Sequence, residues 1–215
     1  MFSLQRLPEP ALRRLQRLVF GMALLPALWL AVLAAADGLG ANPIEKLLRE
    51  TGYWTLTLLL LTLAVTPLRR LSRWNWLVRL RRMLGLYAFF YACLHLLAYV
   101  VLDQFFDWSG IVRDIGRRPY ITVGFGAFLL LLPLAATSSD AMRRRLGGQR
   151  WRRLHRLVYV IAVAGVLHFA WQVKKDLRRP LIFAGVLSVS LGLRALLPAA
   201  SAGRGRIGSV PGRSE

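Results

Sequence analysis

The stretch MLGLYAFFYACLHLLAYVVL, residues 83–102, runs for twenty residues without a charged side chain and carries one histidine, His95, just past its middle. At about 1.5 Å per residue, a helix of that length crosses the roughly 30 Å hydrocarbon core of a bilayer. In lipid the backbone must satisfy its own polar groups, and an apolar run with no period-two alternation does so as a helix. Five more such runs accompany it: Leu18 to Ala36, Tyr53 to Thr66, Tyr120 to Ala136, Leu157 to Val173 and Leu181 to Leu197. The expected fold is therefore all-α, a polytopic membrane protein with a six-transmembrane-helix bundle. The second run is short, so part of the preceding loop is expected to lengthen its start and Pro67 to end it. The first follows Arg13, Arg14 and Arg17 as a secretory signal would. It is longer than the roughly 7–15 residues of a signal core and reads as a retained first helix.

Composition agrees. The 215 residues are 56% hydrophobic and 19% charged, with a mean hydropathy of +0.46, which is the membrane class. A net charge of +20 would ordinarily suggest a nucleic-acid partner, but the arginines sit in short segments between apolar runs, where charge sets topology. Placing the N-terminus, the 67–82 loop, the 137–156 loop and the C-terminus on one side gathers 21 of the 30 Lys and Arg there. By the positive-inside rule that side is the cytoplasm, and the chain is expected in a bacterial inner membrane with both termini inside. The other side receives nine basic and seven of the ten acidic residues. Trp74, Trp76, Trp151 and Trp171 fall near the expected span ends, where indole rings sit well among headgroups. The single cysteine, Cys93, excludes an intramolecular disulfide and a CxxC site. The organisation expected is a cytoplasmic N-terminal segment 1–17, a transmembrane domain 18–197 and a disordered cytoplasmic tail 198–215, rich in Gly, Ser and Arg. No Gly-rich phosphate loop or dinucleotide fingerprint is present, so any electrons carried here come from another protein.

The three histidines, His95, His155 and His168, are the informative residues, because an imidazole inside a bilayer usually has a specific partner. The third and fifth spans both run outward. His95 lies 12 residues beyond Met83 and His168 lies 11 beyond Leu157, so both stand about 17–18 Å from the inner boundary. Two parallel helices thus present imidazoles at one level, as axial ligation of one haem requires, with Phe89, Phe90, Leu94, Val166 and Phe169 around them. The alternative is that each histidine hydrogen-bonds a neighbouring helix and ties the bundle together. Zinc fits less well, since no cysteine or carboxylate converges at that depth.

His155 stands 13 residues before His168, about 20 Å lower and near the inner boundary. At the same level on the third span is Arg81, 14 residues before His95. A guanidinium offers no lone pair to iron, but it pairs with a haem propionate, a flavin phosphate or a quinone oxygen. The residues leave two readings of His155 open: a second cofactor site, or an interfacial histidine among arginines. Geometry adds a constraint, because 13 residues place His155 and His168 about 140° apart on an ideal helix unless the helix tilts or is irregular near Gly165.

The pairs Arg81/His95 and His155/His168 resemble those of the ferric reductase and NADPH oxidase transmembrane domain, in which both pairs are histidines holding two stacked haems. Arg81 departs from that pattern and breaks the inner pair; His95 and His168 keep the outer one. The segments Gly40-Ala41-Asn42-Pro43-Ile44-Glu45, Thr66-Pro67-Leu68-Arg69, Arg81-Arg82-Met83-Leu84-Gly85-Leu86 and Thr137-Ser138, with Trp151 to Tyr159, resemble the MsrQ family, formerly YedZ, over nearly the whole chain to about Leu197. That resemblance implies a ferric reductase-like bundle acting as a haem-b electron-transfer subunit rather than a catalytic subunit. It implies electrons from the quinone pool or a cytoplasmic flavin reductase, delivered to MsrP, a periplasmic molybdopterin enzyme that reduces methionine sulfoxide in oxidised periplasmic proteins. It also implies flavin mononucleotide (FMN), for which the sequence offers no motif and only the Arg81 and His155 region as a place. Two rivals differ in class: a self-sufficient ferric or oxygen reductase, and a non-redox scaffold with structural histidines.

Overall fold

The structure is a computed structural model that describes residues 7–173 and 176–197. The expected tail, 198–215, lies outside the described residues. The first helix, α1, spans Glu9–Ala35, beginning well inside the segment expected to precede the membrane domain. Next come α2 (Pro43–Ser72), a 3-10 turn (Asn75–Leu77), α3 (Val78–Leu97) and a π-helical turn (Ala98–Asp103). Outside the span lies the short α4 (Trp108–Arg117), followed by α5 (Pro119–Ala136), two short helices α6 (Asp140–Leu146) and α7 (Gly148–His155), then α8 (Leu157–Gln172) and α9 (Arg178–Leu196). Six of these segments are long and apolar enough to cross a membrane, α3 with its flanking turns and α7 with α8 each counting as one.

Two antiparallel hairpins, α2 with α3 and α5 with α8, form the centre, and α9 closes against α2 and α8. Leu63, Ala88, Tyr91 and Ala162 are wholly sealed within the bundle. By contrast α1 and α9 turn Leu18, Met22, Trp29, Leu181 and Val189 outward, which suits a surface whose solvent is acyl chains. Polar side chains join α1 to α3: the Tyr87 hydroxyl donates to the Phe20 carbonyl, and the Tyr91 hydroxyl donates to Ala23 and accepts from the Ala27 N–H.

Pro67 does not end the second span. Helix α2 continues through it to Ser72 and stops at Arg73, whose φ of 60° is left-handed. A proline inside a helix orphans the carbonyl four residues earlier, here Leu63, which is fully buried. The Arg194 guanidinium, arriving from α9, donates to that carbonyl. A side chain 131 positions away thus replaces the missing amide, and no local reading of the sequence anticipates it.

Irregularity in the fifth span falls at Arg156, between α7 and α8, rather than at Gly165. Both histidines of that span then bear on α5, His155 at its inner end through Thr137 and His168 at its outer end through Tyr120.

Candidate functional site

His95 of α3 and His168 of α8 face each other between the hairpins, with ring centroids 6.1 Å apart and planes at 83°. A histidine nitrogen bound to a first-row metal at about 2.0–2.1 Å, with about 1.1 Å from that nitrogen to its ring centre, sets two trans imidazole centroids about 6.3 Å apart. The observed spacing is close to that value.

Each ring is held by the same device. Nδ1 of His95 lies 2.9 Å from the Leu48 carbonyl, and Nδ1 of His168 lies 2.7 Å from the Tyr120 carbonyl. A carbonyl can only accept, so Nδ1 carries the proton in both and Nε2 keeps its lone pair. Anchoring one ring nitrogen on a carbonyl is how metal-binding histidines are fixed in tautomer and rotation. The accepting carbonyls sit four residues before Gly52 on α2 and Gly124 on α5, so the glycine is the residue whose side chain would block the approach. A Cβ on Gly52 would stand 3.1 Å from Cε1 of His95, and one on Gly124 would stand 2.6 Å from Nδ1 of His168. Gly124 carries no signal beyond being a small residue inside an apolar run, Gly52 lies just before one, and sequence reasoning passed over both.

Thr51 reinforces the first anchor. Its hydroxyl donates to the Leu47 carbonyl at 2.6 Å and lies 3.3 Å from Nδ1 of His95. The aromatic surroundings differ from expectation. Phe89 stacks on Phe128 of α5, but Phe90 is 38% exposed and packs edge-on against Tyr87 and Tyr91, away from α8, and Phe169 turns to Phe183 of α9. Val166 is buried as expected.

The inner level is built differently. His155 stacks on Trp151, centroids 4.0 Å apart, and its Nε2 lies 3.0 Å from the Thr137 hydroxyl. That hydroxyl donates its one proton to the Pro133 carbonyl at 2.6 Å, so it accepts from His155, and Nε2 is the protonated nitrogen. Trp151 ties its own indole N–H to the Thr137 carbonyl. His155 is thus clamped in the opposite tautomer to the outer pair.

Arg81 is half-buried and close enough to His155, Tyr159 and Arg194 to interact electrostatically. Among the described residues it has no carboxylate within 4.0 Å; the neighbouring arginines Arg79 and Arg82 take Glu9 and Asp140 instead. Arg194, which sequence reading counted only as a charge, donates to Tyr159 and to Leu63. Among the described residues, therefore, two cations without a carboxylate within 4.0 Å face the inner half of the bundle.

Above the histidines, α4 lies across the outer end. Its N-terminus is capped by the Asp107 carboxylate, which accepts from the Gly110 N–H, and Asp114 joins the Tyr99 hydroxyl to Arg118.

Two neutral imidazoles are too few for a protein-only metal site, and among the described residues no group of three or more His, Cys, Asp or Glu converges. An iron porphyrin, whose ring brings nitrogens of its own, would need only His95 and His168 from the protein. Fold and site together define a membrane bundle of ferric reductase type, and the family described as "Ferric reductase like transmembrane component" matches residues 51–166. Three relatives are each named protein-methionine-sulfoxide reductase heme-binding subunit MsrQ. The one from Herminiimonas arsenicoxydans is 55% identical over 187 residues, 86% of each chain. That from Ralstonia nicotianae is 54% identical over 209 residues, 95% of this chain and 96% of its own. That from Azospira oryzae is 56% identical over 192 residues, 87% of this chain and 82% of its own. The chain belongs to the MsrQ family of ferric reductase-like transmembrane proteins.

Proposed function

We propose that the protein is a haem-b electron carrier of the inner membrane, with His95 and His168 as the axial ligands, and that it delivers electrons to a periplasmic molybdopterin methionine sulfoxide reductase, MsrP. The observation that carries this reading is the pair of facing imidazoles whose Nδ1 atoms are both anchored on carbonyls. Bound between them, the haem supplies a one-electron iron couple. Leu48 and Tyr120 hold the two rings in the tautomer that presents Nε2, while Gly52 and Gly124 let them reach those carbonyls. A ring fixed before the electron arrives has little to reorganise when it does, which suits transfer rather than bond chemistry.

The inner cluster of Arg81 and His155 is the proposed second cofactor site. Its unpaired arginine and the tautomer of His155 favour an anionic group such as the phosphate of FMN over a second axially ligated haem. The donor is the quinone pool or a cytoplasmic flavin reductase, reached from the basic side, where both termini lie. The membrane domain is taken as 18–197.

His95→Ala and His168→Ala should each abolish the reduced b-type bands of the purified protein, measured with pyridine haem quantification. Two variants that both keep full haem overturn the ligation. His155→Ala should leave those bands in place and lower flavin content instead. Reduced protein should be reoxidised by MsrP only when methionine sulfoxide is present; reoxidation that ignores the partner would favour a self-sufficient reductase.

A further inference from the structure

A groove of about 380 Å³ lies on the outside of the bundle, between α1 and the first part of α2. Leu25, Trp29 and Leu33 of α1 and Trp54 of α2 give it apolar walls, and Lys46 and Glu50 of α2 add one charge of each sign. Helix α2 starts at the end of the bundle that carries α4, and both charges fall within its first eight residues, which is headgroup depth. Trp54, one turn further, lies beneath them. Leu25 and Trp29 are 59% and 62% exposed, so the apolar part opens sideways onto acyl chains. The groove thus has the polarity of one lipid, ionic at the head and hydrocarbon below.

The two charges do not pair with each other. Spacing of four residues lets oppositely charged side chains meet on a helix, and on the neighbouring face of α2 Glu45 and Arg49 do so at 3.5 Å. Lys46 and Glu50 have the same spacing in the reverse order, which is the weaker one. Among the described residues neither has an opposite charge within 4.0 Å, although both are half-buried. One open pair faces the groove while the closed pair beside it does not. A cation and an anion side by side are complementary to a headgroup that carries one of each.

We propose that this groove binds one phosphatidylethanolamine from the leaflet at the α4 end, its phosphate on Lys46, its primary ammonium on Glu50 and an acyl chain along Leu33, Trp29 and Leu25. A primary ammonium donates N–H bonds to a carboxylate, and an ammonium side chain donates to a phosphate. The trimethylated head of phosphatidylcholine has no N–H to donate, and phosphatidylglycerol has no cation at all. Lys46 and Glu50 together therefore select among the three heads. The same two turns of α2 present the Leu48 carbonyl and the Thr51 hydroxyl to His95, so the lipid braces, from another face, the segment that holds that ring.

The test is native mass spectrometry of the purified full chain in detergent, titrated in turn with dioleoyl phosphatidylethanolamine, phosphatidylcholine and phosphatidylglycerol. One phosphatidylethanolamine should bind about tenfold or more tighter than either of the others, the scale of an ionic hydrogen bond. Lys46→Gln with Glu50→Gln should remove that preference. Glu45→Gln with Arg49→Gln, which neutralises the closed pair on the neighbouring face, should keep it. Leu33→Trp leaves both charges in place, fills the apolar part and should weaken all three lipids alike. An unchanged far-ultraviolet circular dichroism spectrum confirms folding in each variant. No preference among the three heads, a preference for phosphatidylglycerol, or a preference that survives loss of Lys46 and Glu50 overturns the site. So does decylubiquinone bound in place of the phospholipid, or a dimer broken by Leu33→Trp, since each gives the groove to another occupant.

Discussion

At the scale of single residues, the outer site depends on two absent side chains as much as on two imidazoles. Gly124→Ala puts a Cβ 2.6 Å from Nδ1 of His168, inside any allowed contact, whereas Gly52→Ala puts one 3.1 Å from His95, a distance a small shift relieves. Gly124→Ala should therefore lower haem occupancy or move the haem midpoint potential clearly, and Gly52→Ala should do so less, by redox titration. Equal effects would mean that the ring positions are set by something other than these contacts. His95 and His168 were legible in the sequence because matching depth on parallel helices follows from counting residues. Their anchors were not legible, since the carbonyls of Leu48 and Tyr120 belong to helices whose rotation no local pattern records. Arg81 and His155 were also placed together by counting, while Arg194, the third member of the inner cluster, comes from a helix whose register against α2 is set by packing.

Among elements, α2 depends on α9 for its continuity. Arg194→Leu leaves the buried Leu63 carbonyl without a donor, which should cost about 1–3 kcal/mol. Thermal unfolding in detergent should then fall, and Pro67→Ala in the same chain should recover part of the loss by restoring an amide at that position. No recovery would mean that the destabilisation comes from the contact with Tyr159. Helix α4 responds to acid. Bonds from the Gly110 amide and the Ser109 side chain hold the Asp107 carboxyl below the usual carboxylate range. A depressed carboxylate contributes stability above its unfolded value, and that contribution disappears as the pH falls through its folded value. The protection factor of the Gly110 amide, its exchange relative to the intrinsic rate at each pH, should therefore be high at neutral pH and fall under acid conditions, and Asp107→Ala should show the lowered protection throughout.

For the whole molecule, the arginine distribution and the packing make one statement. The ends of α2 and α9 that carry Arg69, Arg70 and Arg194, with α6 and α7, lie at the end of the bundle opposite α4. In a Cys93→Ala background, an impermeant maleimide should label Ser109→Cys from the outside of intact spheroplasts and Arg150→Cys only after lysis. Labelling in the reverse order would invert the proposed direction of electron flow.

Sequence alone determined the class of fold, the number of spans and the outer histidine pair, because bilayer thickness, apolar run length and residue spacing are properties of the chain read along its length, and its segment motifs carried the resemblance to the family. Tertiary structure alone decided that Pro67 lies inside a helix, that the break in the fifth span is at Arg156, and that His155 is clamped in the tautomer opposite to that of His95 and His168. For Pro67 the deciding hydrogen bond comes from the Arg194 guanidinium of α9, and for His155 from the Thr137 hydroxyl at the end of α5. Such partners are chosen by how helices pack, which the order of residues within any one helix does not state.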